Sequence, residues 1–325
     1  MQDEPILKVE DLKTYFFTRS GIVKAVDGIS FELQRGETLG IVGESGSGKS
    51  MTAWSILGLV PKPAGRIVGG RILYQGENLL DKSDSEMQQI RGSGICMVMQ
   101  DPLTSLNPVF NIGNQMLECL RMNPGRAIAS LRDQAIDLLS KVRIPAAETR
   151  LAAFPHQMSG GMRQRVVGAI AISRSPNLLI ADEPTTSLDA TIQLQYLEML
   201  KEIQAQTGAA IIFITHDFGI VARMCDRVAV MYAGKIVEQS EVMQLFDNPA
   251  HPYTEALLQS VPDLDASVDL LPSIEGQPPS LDNLPEGCSF APRCPYVFDK
   301  CSEYPPAFST GKGQSASCWR YHDAN

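Results

Sequence analysis

The segment GESGSGKS at 43–50 sets three glycines ahead of a lysine and a serine, directly after the apolar run 38–42. It satisfies the pattern GxxxxGK[ST], whose chemistry is phosphate binding. Glycine at 43, 46 and 48 lets the backbone curl so that successive N–H groups converge on phosphate oxygens. A helix beginning near Lys49 would aim its positive end at the same anion. Lys49 is suited to neutralising β- and γ-phosphates, and the Ser50 hydroxyl to ligating Mg²⁺. Ser45 and Ser47 belong to the same loop.

A second group follows much later. LLIADE at 178–183 is a buried-strand pattern that ends in Asp182 and Glu183, at the strand edge where open α/β sheets bind ligands. Asp182 would hold Mg²⁺ through water, and Glu183 would orient the attacking water. Phosphoryl transfer is largely positioning and charge stabilisation, so these few groups suffice. Gln100 follows the apolar run 95–99 and could reach both metal and water. His216 follows the apolar run 210–215 in the same way and could contact a γ-phosphate. Taken singly, each has a bland reading: a ligand-free turn, a solvated acidic pair, a structural histidine.

Ser159, Gly160 and Gly161 precede a helical pattern at 162–172, with Ser159 as its N-cap. That makes a second anion-binding helix terminus. A single P-loop enzyme has no evident use for it, but two chains facing head to tail could each close this turn over the other's nucleotide. Ser187, Leu188 and Asp189 complete an ordered series of six segments.

The elements that must position these groups read as an α/β chain. Residues 1–35 read as strands with a turn at 19–21. The core sheet supplies the strands before Gly43, before His216, and through Asp182. Residues 101–177 interrupt it with helical patterns such as 133–142, and 233–240 reads as a closing hairpin. From 262 to 287 proline and acidic residues indicate an extended linker. The 325 residues carry 44% hydrophobic content and a net charge of −9, enough for a substantial core and no basic footprint for nucleic acid. The opening residues Met1 to Glu4 read as no signal peptide. No run approaches the ~18 apolar residues of a membrane span.

In this order the six segments resemble the nucleotide-binding subunits of ABC transporters over roughly residues 5–260. The segment 43–50 matches the Walker A loop, Gln100 the Q-loop, and Ser159, Gly160 and Gly161 the signature motif. Asp182 and Glu183 match Walker B with its catalytic glutamate, Ser187 to Asp189 the D-loop, and His216 the switch histidine. Met158 and Met162 flank the signature where leucine and glutamine are commonest, but its phosphate-facing residues remain. The resemblance implies a RecA-like ATP-binding core with an antiparallel β subdomain (1–100 and 178–260), a helical subdomain (101–177), a linker (261–287) and a Cys-rich extension (288–325). It also implies an aromatic adenine platform, for which Phe16 is favoured over Tyr15 and Phe17. Packing within the strands is the alternative for all three.

Cys288, Cys294, Cys301 and Cys318 lie within the last 38 residues, at spacings x5, x6 and x16. A reducing compartment disfavours disulfides, and zinc sites normally show tighter pairs. Four thiolates can hold an iron–sulfur cluster, and packed, unligated cysteines are the remaining reading. GCSFAPRCP at 287–295 and HPYT at 251–254 resemble the oligopeptide/dipeptide importer ATPases, in particular D-type subunits of bacterial dipeptide permeases. That likeness implies a 4Fe-4S cluster on the four cysteines. It also implies a heterodimer with a second, related ATPase beneath two membrane permease subunits, fed by a periplasmic peptide-binding protein. The chain would then sit peripherally on the cytoplasmic face of the inner membrane. The alternatives are a soluble ABC ATPase of translation or DNA repair, which usually shows fused cassettes or a long coiled coil, and a P-loop GTPase, for which an Asn-Lys-x-Asp segment is missing.

Overall fold

The computed structural model describes residues 4–100, 105–122, 128–186, 188–260, 274–311 and 313–324. The chain divides into two compact units, Met1–Lys82 with Phe213–Asn325, and Ser83–Ile212.

The first unit opens with two long strands, β1 (Leu7–Thr18) and β2 (Gly21–Leu33), paired antiparallel from Leu7 opposite Leu33 to Thr18 opposite Gly21. β4 (Gly65–Tyr74) pairs with the other edge of β1, and the short β5 (Glu77–Asn78) follows it, giving the order β2-β1-β4-β5. The β1 alternation is interrupted once. A bulge at Glu10 and Asp11, with Asp11 at φ 47°, resets the parity, so Leu7 and Val9 on one side of it and Leu12 and Thr14 on the other all bury.

The same unit contains β3 (Thr38–Val42), buried at all five residues as its apolar run predicts, and helix α1 (Lys49–Ile56). β3 runs parallel to β9 (Arg227–Tyr232). β9 turns through Ala233 and Gly234 into β10 (Lys235–Glu241), the expected hairpin. Both turn residues have positive φ, 47° and 80°, as a two-residue turn that follows strand twist requires. The far edge of β10 pairs with β12 (Gln314–Ala316), which pairs with β11 (Phe308–Gly311). The C-terminal segment therefore extends the sheet that carries β3, and its Phe290 is 1% exposed in one core with Val42, Val230, Tyr232 and Tyr253.

The second unit holds β6 (Ile95–Val98) and β7 (Leu178–Asp182), parallel from Ile95 opposite Leu178 to Val98 opposite Ala181. Its helices are α2 (Asp84–Ile90), α3 (Ile112–Arg121), α4 (Ile128–Lys141), α5 (Ala147–Arg150), α6 (Gly160–Ile172) and α7 (Ala190–Thr207). Ser83 and Glu86 form a capping box at the start of α2. β8 (Ala210–Thr215), fully buried, begins in this unit and ends in the first. Three helices of the first unit follow it: α8 (Phe218–Met224), α9 (Val242–Asp247) and α10 (Pro252–Gln259). Among the described residues no helix is long and apolar enough to cross a membrane.

Candidate nucleotide-binding groups

Segment 43–50 forms the loop between β3 and α1, as its spacing predicts. Two of its glycines are required by the protein's own backbone. A Cβ on Gly43 (φ 149°) would lie 2.1 Å from the Met231 carbonyl oxygen, and one on Gly48 (φ 106°) 2.3 Å from that of Ala25. The loop is thus pressed onto β9 and β2 with no room for a side chain, in conformations that L residues rarely adopt. The Gly234 N–H donates to the Ser47 carbonyl at 2.9 Å, bracing the loop from the β9–β10 turn.

The loop's donors fit an anion. Gly48 caps α1, whose first turn carries no acidic residue, so the helix presents unopposed positive charge. The Lys49 ammonium, 6% exposed, donates to the carbonyls of Gly43 (2.8 Å) and Glu44 (2.9 Å) and is held at the loop. The Ser47 hydroxyl is buried and has no hydrogen-bond partner among the described residues. A buried, unpaired hydroxyl costs free energy until an acceptor reaches it. Ser45 and Gly46 are exposed and Ser50 is half-buried.

In the second unit, β7 delivers Asp182 buried, at 4% exposure, and Glu183 immediately beyond it in a left-handed conformation, φ 44°. The Gln100 side-chain amide, just after β6, donates to the Glu183 carboxylate at 2.8 Å. The Thr186 hydroxyl donates to the same oxygen at 3.0 Å. The parallel pairing of β6 and β7 brings Gln100 and Glu183 together across 83 positions of sequence. Thr186 was not anticipated. Its only signal is its place three residues after Glu183, and the turn that makes that spacing useful is invisible in composition.

Ser159 caps α6 as expected, its hydroxyl accepting from Met162 N–H at 3.3 Å. Gly160 is open, whereas a Cβ on Gly161 would lie 2.7 Å from the Ile192 side chain of α7. The second signature glycine therefore serves helix packing as well. Asp189 caps α7, accepting from Ile192 N–H at 3.0 Å, and Ser187 lies outside the described residues. His216 is exposed directly after β8 in the first unit.

The three N-terminal aromatics differ in their engagements. Tyr15 donates its hydroxyl to Asp27 at 2.5 Å, and burial raises its pKa. Phe17 is 43% exposed with the Arg66 guanidinium 5.4 Å from its ring centre. Phe16 lies on the opposite face of β1, opposite Gly65, where a Cβ would stand 2.8 Å from its ring.

The iron–sulfur expectation is corrected. Among the described residues no group of three or more His, Cys, Asp or Glu is placed to hold a metal ion. All seven cysteines are free thiols. Cys288, Cys294, Cys301 and Cys318 line a hollow of about 20 Å³ with Phe290 and Trp319, the scale of one water molecule. Burial raises the pKa of Cys288 to about 11 and also raises those of Cys294 and Cys318, opposing the thiolate that a ligand needs. They are packed thiols, the alternative left open by their spacing.

Comparisons with known proteins agree with this geometry. The family model described as ABC transporter matches residues 26–186, and that described as oligopeptide/dipeptide transporter, C-terminal region, matches 237–301. The probable peptide ABC transporter ATP-binding protein y4tR of Sinorhizobium fredii is 47% identical, covering 99% of this chain and 98% of its own. The oligopeptide transport ATP-binding protein AppD of Bacillus subtilis is 47% identical, covering 98% and 97%. The dipeptide transport ATP-binding protein DppD of the same organism is 48% identical, covering 97% and 95%. Among solved structures, cbiO1 from Clostridium perfringens, part of the transporter complex cbiONQ, superposes with TM-score 0.65 at 29% identity, covering 76% of this chain and 92% of that one. The dimeric bacterial ABC transporter cassette MJ0796 gives TM-score 0.65 at 25% identity, covering 73% and 98%.

Proposed function

The chain belongs to the ABC transporter family, among the ATP-binding proteins of oligopeptide and dipeptide importers, and from this we propose that it hydrolyses ATP to energise uptake of short peptides across a bacterial inner membrane. One observation carries the reading: a single chain joins a transporter ATPase match at 26–186 to a peptide-transporter C-terminal match at 237–301. A soluble ABC ATPase of translation or DNA repair gains no support from the second match.

In this reading the N–H groups of Gly43, Ser45, Gly46, Ser47 and Gly48, with Lys49, cradle the β- and γ-phosphates of ATP. Ser50, Asp182 and Gln100 would hold Mg²⁺, which neutralises charge on the phosphate oxygens. The Glu183 carboxylate accepts a hydrogen bond from water and directs its oxygen at the γ-phosphorus. The new P–O bond forms as the bond to the β–γ bridging oxygen breaks, the proton lost by water passes to the Glu183 carboxylate, and ADP departs with the electron pair of the broken bond. His216 steadies the γ-phosphate oxygens, and Phe16 stacks on adenine. The hydrogen bonds from Gln100 and Thr186 support the assignment of Glu183, because they fix the orientation of its carboxylate at the end of β7.

Ser159, Gly160, Gly161 and Asp189 serve the nucleotide of a facing subunit, a second related ATPase. The dimeric state of MJ0796 supports pairing of this kind. Two integral membrane permease subunits and a periplasmic peptide-binding protein complete the importer, with this chain peripheral on the cytoplasmic face. The helical segment 101–177 is the lever that meets the membrane subunits, and 288–325 is a C-terminal extension.

Glu183→Gln tests the chemistry. It should leave ATP binding intact and lower kcat by about 10²–10⁴-fold, the usual worth of a positioned base. Near-normal hydrolysis by this variant in the assembled transporter would remove Glu183 from the role. Labelled dipeptide uptake by cells carrying Lys49→Ala in place of the native chain tests the transport assignment, which predicts uptake at background.

A further inference from the structure

Glu44 is an unexpected residue for a phosphate loop, because its carboxylate adds negative charge to a site built for an anion. Its side chain meets Arg293, which lies 249 positions later in the C-terminal segment. The Arg293 guanidinium is 4% exposed and grips both carboxylate oxygens, Nη1 to Oε2 at 2.8 Å and Nη2 to Oε1 at 3.1 Å. This two-bond fork is the strong form of an Arg–carboxylate pair. The remaining donors are also used: Nη1 to the Tyr232 hydroxyl at 3.2 Å, Nε to the Glu275 carbonyl at 3.0 Å, and Nη2 to the Ile274 carbonyl at 3.4 Å.

The loop residue is held from its other sides too. The Glu44 N–H donates to the Tyr253 hydroxyl at 2.8 Å, and its carbonyl accepts from the Lys49 ammonium at 2.9 Å. Tyr232, Tyr253 and Phe290 form a buried aromatic cluster beneath this point, with ring centres 4.5–5.4 Å apart. β9, α10 and the segment around Phe290 therefore converge on one residue of the loop. The Glu44 carboxylate raises the pKa of Arg293, so the cation is secure at any working pH.

We propose that Arg293 is a positioning residue for nucleotide binding: by neutralising Glu44 it lets the loop accept phosphate, so the C-terminal segment sets the affinity of the ATP site. The inference rests on the ATPase reading above. Without Arg293, Glu44 would leave an uncompensated, partly buried negative charge on the loop that must accept a polyphosphate, where repulsion between like charges is poorly screened.

The test is a charge cycle on the full chain, read as Kd for ATP by equilibrium binding and as Tm. Wild type binding no ATP would overturn the ATPase reading itself, which keeps the two failures apart. Arg293→Met should raise Kd about tenfold or more, and Glu44→Gln added to it should restore Kd to within about threefold of wild type. Arg293→Met binding as wild type would overturn the proposal. So would a double variant that folds yet stays as weak as Arg293→Met, because a mere staple between segments predicts loss without rescue. If Arg293→Met does not fold, the double variant decides alone, since it buries no unpaired charge: affinity within about threefold of wild type supports the proposal and a tenfold loss overturns it.

Discussion

Glu183 holds its left-handed backbone directly after five buried strand residues, a conformation that costs a non-glycine residue about 1–3 kcal/mol. The strain is sustained because the carboxylate is fixed after the turn by Gln100 and Thr186. By its place after an apolar strand, Gln100 is expected to reach metal and water. The geometry adds that its amide reaches Glu183, and so can act through the carboxylate. Gln100→Ala should therefore lower kcat by about 10–100-fold, the worth of one hydrogen bond to a charged group, with little change in ATP affinity. Stopped-turnover and binding measurements at several Mg²⁺ concentrations check it. An unchanged kcat with a raised Mg²⁺ requirement would assign Gln100 to the metal alone. The types and order of these residues were legible in the sequence because chemistry restricts them. The Gln100–Glu183 bond was not, because it depends on strand register between distant segments.

Two helices of the second unit begin at residues given nucleotide roles, Ser159 for α6 and Asp189 for α7. The first cap was legible, since serine before an apolar helical pattern is a recognised start signal. The second carries the same signal, an aspartate directly before a helical pattern, within a segment whose motif also implies chemistry. The helices meet where Gly161 lies against Ile192, and Ile192 N–H is the donor that Asp189 caps. One small region thus sets both helix starts and the approach of α6 to α7. Asp189→Asn separates the two roles, because asparagine caps as well as aspartate does. It should keep the unfolding free energy within about 0.5 kcal/mol of wild type, whereas Asp189→Ala should lose about 1 kcal/mol. If Asp189 also serves a facing subunit's nucleotide, Asp189→Asn will lower ATP turnover in the assembled transporter while Tm holds. Equal turnover in Asp189→Asn and wild type would leave the cap as its whole purpose.

Across the whole molecule, the C-terminal segment is built into the first unit rather than appended to it: it extends the sheet, fills the core with Phe290 and holds the phosphate loop through Arg293. The family likeness, and not the cysteine spacing, implied a cluster, and sequence shows where thiols fall along the chain but not how much room they enclose. The HPYT motif at 251–254 was legible only as a family mark. In the structure His251 is fully enclosed, its backbone N–H donating to the Glu238 carboxylate at 2.8 Å and its Nδ1 accepting from Tyr253 N–H at 3.0 Å to cap α10. Burial first, and then the positive charge of Arg320, lower its pKa from 6.5 to about 3. Below the ordinary histidine pKa the unfolded chain takes up a proton that the folded chain refuses. This contribution to stability is therefore full above about pH 6.5 and is lost as pH falls toward 3, at up to about 1.4 kcal/mol per pH unit. Neighbouring Glu238 acts with the opposite sign. Burial raises its pKa, so the folded state keeps a proton that the unfolded state has released, and its contribution falls as pH rises above 4.5. The remaining charges at this point, Arg320 and Glu255, are paired at 3.1 Å. His251→Asn preserves a capping oxygen and removes the imidazole, isolating the first effect from the second. Denaturant unfolding at a series of pH values should show wild type losing stability relative to the variant as pH falls from about 6.5 to about 5. A difference between the two that stays constant across that interval would show that His251 does not resist protonation in the folded chain.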